Sequence, residues 1–479
     1  MKNFRRILAV VILLFTVSSA DALTRASFMA GLLNARAIDW SESPEYSQAD
    51  SAAFLLRTGY ITDDAGGLES GVTRREALRW CIESLGLAFE AEMLSDYPSG
   101  YSDANILSDF ERGCLVVASN MTPQLFPKAP YFRPHDGLTQ KEADSLLSAV
   151  SQASTNSLRL DMIRNPILGL RVYLHREGVP SGIPGWRVYA YGIDKNTANN
   201  IKNMLKSQGI ESSIAGTGVR TAKLEDYYIV RRFIAFLEFR KIKYKIMPVM
   251  TNPNTRIVPR YWVMLTIDPS RWKMLPIFAG GGPWDLSTLS YITSVNGADA
   301  AINGGFFAVT KAGKGYPIGV LKANGYDLST EPHAGRGTMA WDSYDDAVFS
   351  LASGDVIDWY AKSNAIQAGP LMLYNGNAIW ADEGFNSALI SARHPRSAVG
   401  MNTSGQWVFM IVDGRNGMHS SGATISELTE ILRSQNVNYA LNLDGGGSTE
   451  IIINGRMYNL PSDGYERNIS YALGVLSRE

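Results

Sequence analysis

From residue 255 to the C-terminus, apolar residues come in short runs that stop at glycines. IVPRYWVMLTIDP, ADAAINGGFFAV, AVFSLASGDVI, QAGPLMLYNG, SAVGMNTSGQWVFMIVDGR and YALNLDGGGSTEIIINGRMYN share this shape. Runs of this length bounded by turn residues predict strands. One helical stripe interrupts them: Ile425, Leu428, Ile431 and Leu432 follow Thr424, an N-cap with Glu427 three residues on. Residues 255–479 are therefore expected to form an α+β domain rich in β-sheet.

Upstream the periodicity changes. WRVYAYG alternates as a strand and NTANNIKNMLKSQG carries Ile201, Met204 and Leu205 at helical spacing. IESSIAG is extended, LEDYYIVRRFIAFLEFR helical and KYKIMPVM extended. This order makes 185–250 a small α+β module, preceded by a linker over 154–184 that opens on SQASTN and contains EGVPSGIPG. Before it, LTRASFMAGLL, VTRREALRWCI and LTQKEADSLLS each place an apolar residue and a Thr ahead of a helical pattern. Glu76 and Glu142 stand three residues after Thr73 and Thr139, completing capping boxes. Three copies predict an all-α repeat region over 23–153. The expected fold is thus multidomain: N-terminal all-α repeats, a small α+β module and a sheet-rich C-terminal α+β domain.

The first 22 residues, MKNFRRILAVVILLFTVSSADA, set Lys2, Arg5 and Arg6 before an apolar run and end on small residues at Ala20 and Ala22. That is the layout of a signal peptide, and the apolar run is shorter than the roughly 20 residues a membrane span needs. The chain is expected to be exported, to the periplasm or cell surface, with no transmembrane span once the signal is removed. With 45 basic and 46 acidic side chains the net charge is -1, which gives no electrostatic case for nucleic acid. The two cysteines, Cys81 and Cys114, lie in apolar helical contexts. A disulfide and buried free thiols both remain open, and no zinc or redox motif can be built from them.

Candidate chemistry gathers where strands meet glycines. In ALNLDGGGSTEI, period-two geometry puts Asn442 and Asp444 on one face, followed by Gly445, Gly446, Gly447 and Ser448. WVFMIVDGR ends on Asp413 and Arg415, also two apart, and Arg396 opens the neighbouring strand. Asn303 precedes Gly304 and Gly305 in AINGGFF. Three glycines in a turn let a ligand approach the backbone and supply N–H donors to an anion. No Lys follows them, so this is not a nucleotide-binding P-loop. Asp444 and Asn442 are alternatively oxygen ligands for a hard cation such as Ca2+; no cofactor is otherwise called for. His419, His394, Glu450 and Glu466 are reserve acid–base groups, with Glu466 expected to pair with Arg467.

These residues carry a resemblance. AAINGGFF, QAGPLML, HPRSAVG, VDGR, SGATISEL, ALNLDGGGST and ERNISYALGV occur in the order and rough spacing of the phosphodiester glycosidase family. That family is typified by an enzyme that removes N-acetylglucosamine from a sugar phosphodiester. The resemblance implies hydrolysis of a sugar C1–O–phosphate linkage, here in an envelope or capsular glycopolymer. A phosphate leaving group needs little protonation but does need cations, and Arg396 and Arg415 suit it because a guanidinium grips phosphate with two prongs. Asp444 and Asp413 are then the candidate catalytic carboxylates, and Asn303, Gly304, Gly305, Asn442, Gly445, Gly446, Gly447 and Ser448 the substrate-binding set. The helical copies resemble the S-layer homology repeat, which implies a peptidoglycan-linked wall polymer as partner. The small module is similar to the sporulation-related repeat, which binds peptidoglycan. Two other classes stay open: a non-catalytic wall-binding protein, and a phosphodiesterase that cuts the P–O bond.

Overall fold

Alternation along the C-terminal runs separates two cores across one sheet. Val263, Leu265, Phe409, Ile411 and Leu441 face a large core shared with the rest of the chain. Trp262, Met264, Val408, Met410 and Ala440 face a smaller one. This is the period-two geometry of strands buried on both sides, and it explains why the runs read as unbroken apolar stretches. The computed structural model describes residues 23–38, 51–63, 66–251, 258–333, 335–342, 346–350, 359–379 and 382–478. The expected signal peptide, 1–22, lies outside the described residues.

The sheet has nine strands, in the order Met121–Thr122, Arg159–Ile167, Leu170–Glu177, Arg260–Ile267, Trp407–Val412, Arg396–Asn402, Val437–Asn442, Leu371–Tyr374, Asn377–Ala378. The helix Ile425–Ser434 covers its outer face, with Thr424 and Glu427 capping each other's backbone and Ile425, Leu428 and Leu432 buried. A five-stranded sheet runs Arg456–Met457, Ile451–Ile453, Ala300–Asn303, Ala472–Ser477, Trp272–Ile277. Its Ala300, Ile302, Ile451, Ile453 and Leu473 join the large core, and Ala301 and Ile452 pack with Leu289 and Ile292 of the helix Leu289–Val295. The two sheets thus share the large core, each with a helix on its other face.

The segment 154–184 is not a linker. It supplies Arg159–Ile167 and Leu170–Glu177, and the latter pairs with Arg260–Ile267 from Leu170 opposite Ile267 to Glu177 opposite Arg260. Without it, a long apolar strand would present an unpaired edge. The missed signal was the alternation of Leu170, Val172 and Leu174, all buried, with the less buried Arg171 and Tyr173.

Residues 25–152 form the helices Arg25–Ala35, Ser51–Thr58, Arg74–Ser84, Ala88–Met93, Asp109–Asn120 and Gln140–Gln152. Capping boxes start four of them, at Thr24 with Ser27, Thr73 with Glu76, Ser108 with Glu111 and Thr139 with Glu142. The arginine of one copy holds the capping glutamate of the next, Arg25 to Glu76 and Arg74 to Glu142. The helical region is not an independent bead, because Phe28, Trp80 and Val117 belong to the same buried cluster as Leu174, Tyr261 and Val399. Nor is it wholly α, since Met121–Thr122 forms an edge of the main sheet. Cys81 and Cys114 are buried free thiols.

The small module has its own core, around Val188, Ile201, Val219 and Phe233. Its order is Ile183–Tyr191, helix Lys195–Ser207, Ser212–Ala215, Gly218–Thr221, helix Tyr227–Phe239, Lys243–Thr251. The single strand expected at IESSIAG is the first arm of a hairpin, which completes two split β-α-β units in one antiparallel sheet. Among the described residues, no helix is long and apolar enough to cross a membrane.

Candidate active site

Strand ends from both sheets meet at Asn303. This buried side chain ends the strand Ala300–Asn303, and its Nδ2 donates to the Asp444 carbonyl at 2.7 Å. Its Oδ1 accepts from Ser397 Oγ at 2.7 Å and from the Glu450 N–H at 3.3 Å. Asn303 therefore fixes the turn that carries Asp444 to the sheet edge. Gly304 and Gly305 leave room for Tyr471: a Cβ at Gly304 would lie 2.5 Å from its ring, and the Gly305 N–H donates to its Oη at 2.8 Å.

The strand Val437–Asn442 ends before Asp444, which lines a cleft of about 1020 Å³ between the sheet edge and the small module. Burial raises the Asp444 pKa above the usual aspartate range. The Ser448 hydroxyl, Arg467 and Arg415 offset part of that rise, Ser448 from outside hydrogen-bonding geometry. One carboxylate oxygen, Oδ1, accepts from the Gly445 N–H at 3.0 Å.

The three glycines have three different neighbours. A Cβ on Gly445 would meet the Pro395 carbonyl at 2.7 Å. Gly446 has φ +64°, and a Cβ there would lie 3.0 Å from Nη2 of Arg415. A Cβ on Gly447 would collide with the paired Arg467 and Asp463 side chains. The expectation that substrate itself lies on this backbone is thus replaced by a more specific one, since two guanidinium groups occupy the space that side chains would fill.

Residues 296–476 match the phosphodiester glycosidase family. The match takes in Asn303, Arg396, Arg415, Asp444 and Arg467 but neither the small module nor the helical region. Over 96 residues the chain is 37% identical to the SPbeta prophage-derived uncharacterized protein YomE of Bacillus subtilis (strain 168), covering 20% of this chain and 14% of that one. Over 234 residues it is 26% identical to the N-acetylglucosamine-1-phosphodiester alpha-N-acetylglucosaminidase of Bos taurus, covering 45% of this chain and 42% of that one. The chain therefore spans less than half the length of either relative. Among solved structures, the catalytic domain of the zebrafish enzyme of that name aligns over 46% of this chain and 78% of its own, at 19% identity and a TM-score of 0.40.

Within the matched segment 296–476, several expected site residues are scaffold. Arg396 is 3% exposed and spends its guanidinium on backbone, donating Nε to the Ala423 carbonyl and Nη2 to those of Leu389 and Ala392. Burial, reinforced by Arg415 nearby, lowers its pKa to about 10. Asp413 is 1% exposed and accepts from His419 Nε2 at 2.9 Å, Asn459 Nδ2 at 3.1 Å and the Leu460 N–H at 2.8 Å. It does not share a face with Arg415, because the strand ends at Val412 and Arg415 adopts a left-handed φ of 60° that turns its side chain out to solvent. Asn442 is likewise buried, donating from Nδ2 to the Gly369 and Leu443 carbonyls, and it ends the strand whereas Asp444 lies beyond it, so the two do not share a strand face. Among the described residues no group of three His, Cys, Asp or Glu is arranged to hold a metal.

Arg467 takes the place intended for Arg396. Its guanidinium pairs with Asp463 at 2.7 Å, and Asp463 also accepts from Lys245 of the small module at 2.9 Å. Glu466 does not pair with Arg467 but accepts from Ser290 N–H and Oγ at the start of the helix Leu289–Val295. Glu450 is fully buried, and burial, reinforced by the Glu466 charge, pushes its pKa up to about 9. Arg467 was visible inside ERNISYALGV, but adjacency to Glu466 suggested the wrong partner.

Proposed function

We propose that this chain is a hydrolase that cleaves a glycosyl phosphodiester between the sugar C1 and the phosphate oxygen. One observation carries the proposal: a half-buried carboxylate, Asp444, stands in a cleft with Arg415 and Arg467 as its cationic neighbours. In the reaction water replaces the phosphate oxygen on C1, so that free sugar and a phosphate monoester leave. The bond electrons go to the departing oxygen, which gains charge as it breaks away. The guanidinium groups of Arg415 and Arg467 stabilise that charge where it develops. Asp444 acts on the sugar side, as nucleophile at C1 or as the base that takes a proton from water, and either role requires its ionised form. Only one free carboxylate is required, because a phosphate departs without prior protonation.

The resemblance to relatives named for N-acetylglucosamine phosphodiesters supports that sugar as first substrate. Export, a wall-polymer grip by the helical region and a glycopolymer substrate belong to the same proposal, supported by the basic-then-apolar N-terminus and the Thr-Arg helix starts. The test uses the full chain, since residues 255–479 alone would strip Leu170–Glu177 from the main sheet. N-acetylglucosamine 1-phosphate methyl diester is incubated in isotope-labelled water and the products are weighed by mass spectrometry. Label in free sugar supports C–O cleavage. Label in phosphate means P–O cleavage, and no product with any sugar favours a binding protein.

A further inference from the structure

The wall of the cleft opposite the family-matched segment comes from the small module. Tyr191, at the end of the strand Ile183–Tyr191, and Lys243 and Tyr244, at the start of Lys243–Thr251, line the same cleft as Asp444 and Arg467. Tyr191 stacks on Tyr465 with ring centroids 5.0 Å apart and planes at 27°, and Tyr189 stacks on Tyr191 at 5.6 Å and 26°. The three near-parallel rings run from the module onto the loop that carries Asp463 and Arg467. Tyr465 remains 43% exposed. Lys243 is exposed, and no carboxylate of the described residues lies within 4.0 Å of its ammonium. The Lys245–Asp463 bridge fixes the module to the same loop, so Asp463 holds Lys245 and Arg467 at once.

We propose that the small module is the leaving-group side of the substrate site and holds a glycan chain that continues beyond the scissile phosphate. This inference rests on the glycosidase proposal above. Arg467 is a charge neighbour of Asp444 and is tied through Asp463 to Lys245 of the module, so a phosphate held there has Tyr191, Tyr465 and Lys243 of the same cleft within the reach of the rest of the leaving group. Tyr465, held at the end of the ring stack by Tyr191, offers a flat apolar face with a polar tip, which suits the C–H faces and hydroxyls of sugars. An unpaired ammonium beside them suits a second phosphate. The substrate class is therefore a polymer of phosphodiester-linked sugars, and the module sets chain-length preference instead of serving as a detached wall anchor.

The test compares two substrates of the full chain: N-acetylglucosamine 1-phosphate methyl diester and a poly(N-acetylglucosamine 1-phosphate) of several repeats. The readout is the ratio of kcat/KM for long over short substrate, with Tyr191→Ala and Lys243→Glu; Lys243 lies on an exposed surface, so its replacement leaves folding intact. Each substitution is expected to lower the ratio about tenfold, the scale of one lost anchor contact. An unchanged ratio overturns the inference whatever the absolute rates. Retardation of the wild type in a gel cast with the polymer gives a readout independent of turnover. If neither substrate is cleaved, the glycosidase proposal falls alone: retardation lost in both variants keeps the binding inference, and no retardation of the wild type overturns it.

Discussion

The Arg415 guanidinium rests against the α-carbon of Gly446, so that a methyl group there would come within 3.0 Å of Nη2 and 3.1 Å of Nη1. Gly446 also has φ +64°, where an L-residue is strained by about 1 kcal/mol. Gly446→Ala should therefore push the arginine away from Asp444, and steady-state assays on the methyl diester should show kcat/KM down about 100-fold. Arg415→Lys should lose a similar factor, because an ammonium cannot grip phosphate with two prongs. Wild-type turnover in Arg415→Lys would remove Arg415 from the phosphate site.

Asp444 makes a pH prediction whose sign follows from its surroundings. Burial disfavours its charged form, which places its pKa above the roughly 3.9 of a free aspartate, and Arg467 and Arg415 pull it down. Since the reaction needs the ionised carboxylate, kcat/KM should fall on the acid side at a pH above that free value. Arg467→Gln removes a stabilising positive charge and should move the acid limb to higher pH. Profiles of log kcat/KM against pH for the two proteins check it; a limb that stays put, or moves down, contradicts the assignment of Asp444.

Much of this arrangement was legible in the residue pattern, and what was not traces to strand ends and to long-range packing. Alternation located Ala300–Asn303, Arg396–Asn402, Trp407–Val412 and Val437–Asn442, and Thr424 with Glu427 marked the start of the helix on the outer face. Alternation was then carried past the strand ends. Asp413 and Arg415 part company because the strand stops at Val412 and Arg415 turns left-handed. Asn442 and Asp444 part because the strand stops between them. Arg396 gave no hint that the carbonyls of Leu389 and Ala392, a few residues before it, and of Ala423, 27 residues after it, would surround its guanidinium. The pairing of Leu170–Glu177 with Arg260–Ile267, and the cleft wall from the small module, are long-range relationships that no local window contains.

Asp413 offers a contrast between scaffold and catalyst. Its carboxylate satisfies His419, Asn459 and the Leu460 N–H in a fully buried setting, so Asp413→Ala leaves three buried donors without an acceptor. The expected cost is about 3 kcal/mol, seen as a lower denaturant midpoint. The isosteric Asp413→Asn separates the roles: its folded fraction should keep kcat close to wild type while the midpoint still drops. Abolished turnover with an unmoved midpoint would return Asp413 to the reaction.

Glu450 should leave its mark on stability instead of on rate. Its pKa is about 9 in the folded chain, against roughly 4.3 when unfolded, so the native state holds a proton that the unfolded state releases between those values. The contribution of this group is fully present below about pH 4.3 and falls by about 1.4 kcal/mol per pH unit as pH climbs toward the folded pKa. Glutamine keeps the oxygen that accepts from the Arg467 N–H at 3.0 Å and has no proton to lose. Glu450→Gln should therefore be close to neutral at pH 5 and stabilising at pH 8, the gap growing by up to about 4 kcal/mol over that interval. Denaturant titrations of both proteins at the two pH values decide it. An equal difference at pH 5 and pH 8 would mean that Glu450 is already ionised in its buried site, with a partner for its second oxygen.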